Sequence, residues 1–142
     1  MRSFVPANDM IGQPMPATSD LIQTLHEICL AYPGTEEVWE GSVGAPVWKV
    51  SGKIYVMQHG VDGKPSVWIK APKGMQEVLI ARDPDRWFRP PYVGHNGWVG
   101  TWLDDGIAWP EVEDLIDDAW RMTATKTLVR EFDALPKEDA GP

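Results

Sequence analysis

Two kinds of binding chemistry are written into this chain by residue type, and each needs groups that converge in space. The first is anion binding. Lys49, Lys53, Lys70, Arg86 and Arg89 lie in the middle of the sequence together with Trp68. Lysine and arginine neutralise phosphates, and an exposed indole stacks on a base. The structural explanation of the same residues is that tryptophans bury and that lysines beside strands guard sheet edges. The second is small-molecule binding. Trp87, Tyr92, His95 and Trp98 cluster around the stretch Arg-Pro-Pro-Tyr-Val-Gly-His-Asn-Gly-Trp that begins at Arg89. Restricted prolines and permissive glycines alternate there, which specifies a particular loop shape. Aromatic-lined concavities favour small ligands.

Covalent and metal chemistry find less support. His59 and His95 with Asp62, Asp104 and Asp105 match no metal-ligand spacing, and the three histidines fall in three separate segments. The acid run Glu111, Glu113, Asp114, Asp117 and Asp118 suits the positive end of a helix without invoking a cation. Cys29 sits on an apolar stripe with no basic neighbour in sequence, so it is predicted to be a core residue rather than a nucleophile. No nucleotide-binding or serine-hydrolase motif is present. No catalytic residue, metal ligand or cofactor is therefore predicted.

Charge narrows the partners. The net charge is −8 over 142 residues, which argues against a generic nucleic-acid binder. The distribution is uneven. Residues 1–44 carry one Arg against six acids, residues 45–102 eight Lys and Arg against four acids, and residues 103–142 four Lys and Arg against eleven acids. A basic centre is flanked by acidic ends, as in a basic sheet surface backed by acidic helices. No apolar run reaches the length of a membrane span. Met1 to Pro16 has no signal-peptide core, and a single cysteine allows no intrachain disulfide. The expectation is a cytoplasmic protein, a monomer or weak homodimer, with an irregular arm over 1–17, one domain over 18–135 and a tail over 136–142.

The elements that must position these residues follow from periodicity. Thr18, Ser19 and Asp20 are candidate N-caps for a helix with Leu21, Leu25, Ile28, Cys29 and Tyr32 on one face, ended by Pro33-Gly34. Trp48 and Val50 then alternate with Lys49 and Ser51, Ser51-Gly52 makes a two-residue turn, and Ile54 to His59 returns. In that register Val50 opposes Lys53 and Trp48 opposes Tyr55. A turn over 61–65 leads to a third strand, 66–71, completing an antiparallel meander. Pro72 opens a short helix that Asp83-Pro84 stops. A strand over 97–103 can turn either face inward, because Trp98/Trp102 and Val99/Leu103 are both apolar. Ile107 to Trp109 reads as a further short strand. Pro110 opens a helix with the stripe Val112, Leu115, Ile116, Ala119 and Trp120, predicted to continue through Lys126 to Leu135. Trp48, Val50, Tyr55, Val67, Ile69, Leu115 and Trp120 are predicted to be buried.

Short motifs punctuate this order: Pro33, Gly34, Thr35 and Glu37, then Trp39; Lys49-Val50 with Gly52-Lys53; Val67 with Lys70; Pro91-Tyr92 and Gly94; Gly97-Trp98-Val99; Leu115-Ile116; and Lys126. Together they resemble the MmcQ/YjbR family of small bacterial proteins, over roughly residues 18–130. Trp39-Glu40-Gly41 departs from a tighter Trp-Gly pair, and Trp120 stands where a Tyr is often found. The resemblance implies a CyaY-like (frataxin-like) α+β fold, with an antiparallel sheet of about five strands and the N- and C-terminal helices packed on one face. It also implies DNA binding, suggested for the family through a double-wing motif, but supplies no residue pattern for it. The expected function is a non-catalytic binding module that meets an anionic partner, DNA foremost, through the sheet face and the 86–97 loop. The alternatives are a small-molecule-binding protein with an aromatic pocket and a protein–protein adaptor anchored by exposed tryptophan.

Overall fold

Helix α1 (Thr18–Leu30) begins at the predicted caps and buries Leu21, Leu25 and Cys29, one residue per turn along a single stripe. The computed structural model describes residues 18–40 and 45–136; the predicted arm and all but Pro136 of the predicted tail lie outside them. After α1 come strands β1 (Glu36–Glu40), β2 (Ala45–Val50), β3 (Lys53–Val61) and β4 (Lys64–Ile69), helix α2 (Met75–Arg82), strands β5 (Trp87–Phe88) and β6 (Val99–Trp102), and helices α3 (Trp109–Thr123) and α4 (Lys126–Asp133). The strands form one six-stranded sheet in the order β1-β2-β3-β4-β6-β5, and every neighbouring pair is antiparallel.

The predicted meander is present. Ser51 and Gly52 both adopt positive φ, as do Asp62 and Gly63 at the next turn, which matches the twist of a tight hairpin. The register differs from expectation in one respect. Val50 pairs with Lys53 and Lys49 with Ile54, but Trp48 pairs with Val56 and not Tyr55. Tyr55 is the extra residue of a β-bulge, so Tyr55 and Val56 are both fully buried in the same core. The bulge aims the Tyr55 hydroxyl at the end of α1, where it donates to the Cys29 carbonyl, and at Thr35 Oγ1 of the following segment, 2.7 Å away. Burial pushes both the Tyr55 phenol and the Cys29 thiol well above their ordinary pKa values. Cys29 is thus a core residue.

All seven predicted core residues are buried, at 4% exposure or less. Helices α1 and α3 add to that core, with Leu25, Ile116, Ala119 and Trp120 completely enclosed. The undecided strand resolves in favour of Val99 and Leu103, which join the helix-covered core. Trp102 lies on the outer face against Phe88, with ring centroids 4.5 Å apart. Gly100 permits this, because a Cβ there would overlap the Phe88 ring.

Three expectations about elements need correction. Residues 107–109 form no strand: Ile107 donates to the Asp104 carbonyl in a turn, and Trp109 starts α3 because Pro110 favours the first helical turn. The last helix does not run unbroken to Leu135. Ala124 and Thr125 are extended, Thr125 caps α4 by accepting from Leu128 N–H, and the chain folds back. That reversal packs Phe132 against Trp120 at 5.0 Å and against Tyr32 at 5.4 Å. Among the described residues the sheet has six strands where about five are expected, since the sequence pattern does not announce β1 and β5. β1 reads Glu-Glu-Val-Trp-Glu, a composition poor in strand formers, and β5 is two residues long.

One carboxylate joins helix to sheet. Glu37 on β1 accepts from the Trp48 indole at 2.8 Å, from the Trp39 indole at 2.8 Å and from His26 Nδ1 of α1 at 2.6 Å. Burial alone would raise the Glu37 pKa. The hydrogen bonds from Trp39, His26 and Trp48 together outweigh it and hold the value below the usual 4.5. A depressed folded-state pKa contributes stability that is present above the unfolded value and is lost as pH falls through the folded one. Glu37→Gln should therefore cost about 1–3 kcal/mol at pH 7, as for hydrogen bonds to a charged acceptor. The difference from wild type, measured by urea unfolding, should shrink by pH 3. An equal cost at both pH values would show that the carboxylate charge plays no part.

Candidate functional site

The Arg89–Trp98 stretch folds into a loop that wraps the start of α2. Gly94 N–H bonds the Pro90 carbonyl, and a single 3-10 turn over Gly94–Asn96 closes on Gly97. Tyr92 adopts a positive φ of 68°, which is uncommon for a bulky residue. The loop is tied to α2 by Gln76, itself 4% exposed, whose amide donates to the Gly94 carbonyl at 2.8 Å and to the Trp98 carbonyl at 2.6 Å. Between loop and helix lies a cavity of about 330 Å³, whose lining includes Lys73, Gln76, Glu77, Arg89, His95 and Asn96. Its wall is polar. Lys73, Arg89, His95 and Asn96 are exposed side chains at its rim.

Helix polarity adds to this setting. The α2 N-cap is Gly74, and no side chain caps the first turn. Met75 N–H bonds the Pro72 carbonyl. The next amides of a first turn have no acceptor within their own helix, so they remain donors for solvent or an anion. Arg89 is held across the loop by close contact with Gly94. A Cβ on Gly94 would stand 2.5 Å from Arg89 Cγ and 3.1 Å from Nε.

The structure separates the two residue sets that the sequence proposed. Of the basic set, Arg89 alone lines the groove. Trp68 is 1% exposed: its N–H donates to Ser66 Oγ and its ring stacks on His59 at 4.2 Å, so it offers no base-stacking surface. Arg86 is turned inward, bonding the Trp102 carbonyl at 3.1 Å and Asp104 at 2.8 Å. Lys53 is exposed at the β2–β3 turn, and Lys49 and Lys70 are half-buried. Of the aromatic set, Trp87 and Trp98 are buried at 1% and 7% exposure, and Trp87 belongs to the core. Tyr92 is 81% exposed and does not line the groove. These four residues do not come together at the groove, because the two indoles fill space inside the domain. His95 is the one member of that set at the groove.

Lys73 and Gln76 were missed. The proline before them announced a helix start, but nothing in the sequence showed that a loop some twenty residues later would close over it. Two acids of the α3 run are engaged in pairing: Glu111 with Arg82 at 2.7 Å, and Asp117 with Tyr32 and Arg121. Among the described residues no three His, Cys, Asp or Glu side chains are placed to share a metal ion.

An antiparallel sheet backed by terminal helices, with a polar groove between a short helix and a glycine-rich loop, defines a small α+β domain architecture. The family model described as YjbR matches residues 30–122, and the chain belongs to the YjbR family. It is 26% identical over 105 residues to the uncharacterised protein YbdF of Escherichia coli O157:H7, covering 70% of this chain and 84% of that one. A crystal structure of Deinococcus radiodurans protein DR2400, a DUF419 domain, superposes with a TM-score of 0.66 at 18% identity. The match covers 81% of this chain and 88% of that one. Among the described residues no helix is long and apolar enough to cross a membrane.

The Gly94–Arg89 contact has a measurable consequence. Gly94 does not require positive φ, so alanine is tolerated by the backbone and acts only through the displaced arginine. Gly94→Ala should cost about 1–3 kcal/mol, the usual range for overpacking. In an Arg89→Ala background it should cost close to nothing, as a double-mutant cycle by thermal unfolding would show. Additive costs would mean that the two residues do not touch.

Proposed function

We propose that this protein is a binding module that takes a small anionic ligand, such as a phosphate group and its organic carrier, in the groove between α2 and the 89–97 loop. The supporting observation is the convergence of Arg89, Lys73 and His95 on one polar cavity in which, among the described residues, Glu77 is the one acidic side chain of the lining. Arginine and lysine bind oxyanions by charge-assisted hydrogen bonds, and the uncapped first turn of α2 adds amide donors. A volume of about 330 Å³ suits a small molecule.

Duplex DNA is the alternative partner. It draws on Lys49, Lys53 and Lys70 of the basic central segment, without help from the buried Trp68 or the paired Arg86. The chain's −8 charge opposes a long polyanion more than a single phosphate, because repulsion accumulates over its length.

The test is titration of isotopically labelled protein with inorganic pyrophosphate at fixed ionic strength. Saturable amide shifts should centre on residues 73–77 and 89–97. Arg89→Ala should weaken binding about tenfold or more, the loss expected for a charge-assisted hydrogen bond. Lys49→Ala and Lys70→Ala should leave it unchanged. Shifts centred on Lys49 and Lys70 that a DNA duplex reproduces, with affinity falling steeply as salt rises, would replace this reading with the DNA one.

A further inference from the structure

Strand β1 ends the sheet. It pairs with β2 on one side, and among the described residues no strand pairs with its other edge. Natural edges are protected by lysine, by proline, by other charged side chains, by a bulge or by a covering element. β1 has none of the first two, and its pairing with β2 runs through five consecutive residues without a register shift. It carries instead three acids in five residues and one large exposed aromatic, Trp39, at 54% exposure.

Trp39 is not a loose surface side chain. Its indole N–H donates to Glu37 Oε2 at 2.8 Å, while Glu37 Oε1 is held by His26 and Trp48. Glu37 is thereby clamped from α1 and β2, and it clamps the Trp39 ring in turn. An aromatic fixed before binding loses little entropy on contact, and such residues act as interface anchors.

We propose that the free edge of β1 binds an extended, positively charged peptide segment of another protein, which adds a strand to the sheet beside Trp39. Strand addition supplies main-chain hydrogen bonds, and alternate side chains supply selectivity. Two features select the occupant. A second copy of this chain would bring the same acid-rich strand against itself, and like charges across a strand pair are destabilising. A segment with Lys or Arg at alternate positions would instead place its cations on the Glu36 face, while its intervening side chains pack on the Trp39 ring of the opposite face. The partner is therefore a basic β-forming segment. This surface lies at the opposite end of the strand order from β5 and uses no residue of the anion groove.

The test uses two capped peptides, Gly-Arg-Thr-Val-Thr-Arg-Gly and its Glu-for-Arg counterpart, titrated into labelled full-length protein. The basic peptide should shift the amides of residues 36–40 and the Trp39 indole, with at least tenfold higher affinity than the acidic one. Trp39→Ala should weaken it about tenfold while the melting profile stays cooperative. Glu36→Gln, an exposed change that leaves the Glu37 bonds intact and sets no second lysine opposite Lys49 of β2, should remove most of the preference between the peptides. Equal binding of both peptides, or no shift at β1, would overturn the proposal. So would a concentration-dependent dimer whose contacts map to β1, since the occupant would then be a second copy.

Discussion

The Glu37 carboxylate carries three hydrogen bonds that join three separate elements of this fold. His26 comes from α1, Trp39 from β1 and Trp48 from β2. The Trp48 ring is completely buried, and an indole N–H in an apolar core needs an acceptor. A carboxylate of ordinary exposure would leave the helix free to slide over the sheet edge. A fully buried one would cost too much to ionise. At 17% side-chain exposure with three donors, Glu37 stays charged and fixes the docking of α1. The rest of the core then closes around that choice, from the bulge at Tyr55 reaching Cys29 and Thr35 to Trp120 donating to the Pro33 carbonyl at 3.1 Å.

The far end of the sheet follows a different logic. There the loop from Arg89 to Trp98 is shaped by backbone conformation and by Gln76, whose amide satisfies two loop carbonyls from within the protein. Trp87 and Trp98 anchor the loop from below, and Phe88 packs over Gly100 against Trp102. The buried aromatics fill the space beneath the loop, and the polar residues above them are left at the groove. This division explains why aromatic density in the sequence was a poor guide to a pocket: most of the indoles serve as core.

How much was legible in the sequence varied with the physics involved. Period-two and period-3.6 patterns located α1, the β2–β3–β4 meander and α3, and the apolar stripe of α3 correctly placed Leu115 and Trp120 inside. The hairpin turns were legible because Ser-Gly and Asp-Gly supply positive φ. β1 was hidden by its glutamates, whose role emerges only when Trp48 and His26 arrive from elsewhere in the chain. The Tyr55 bulge was hidden because alternation alone does not reveal an extra residue. For the site, Arg89 and His95 were each named, but in rival sets, since the sequence offers no way to see that Arg86 pairs with Asp104 or that Trp68 lies beneath His59. Lys73 and Gln76 needed the loop closure itself.

The functional account rests on the groove being where an anion comes to lie. The most direct measurement is the anomalous scattering of tungstate in crystals of this protein grown with that oxyanion at low salt. The account predicts one dominant peak between Lys73, Arg89 and His95, within hydrogen-bonding distance of the Arg89 guanidinium. Dominant peaks on the outer sheet surface beside Lys49 and Lys70, with the groove empty, would contradict it.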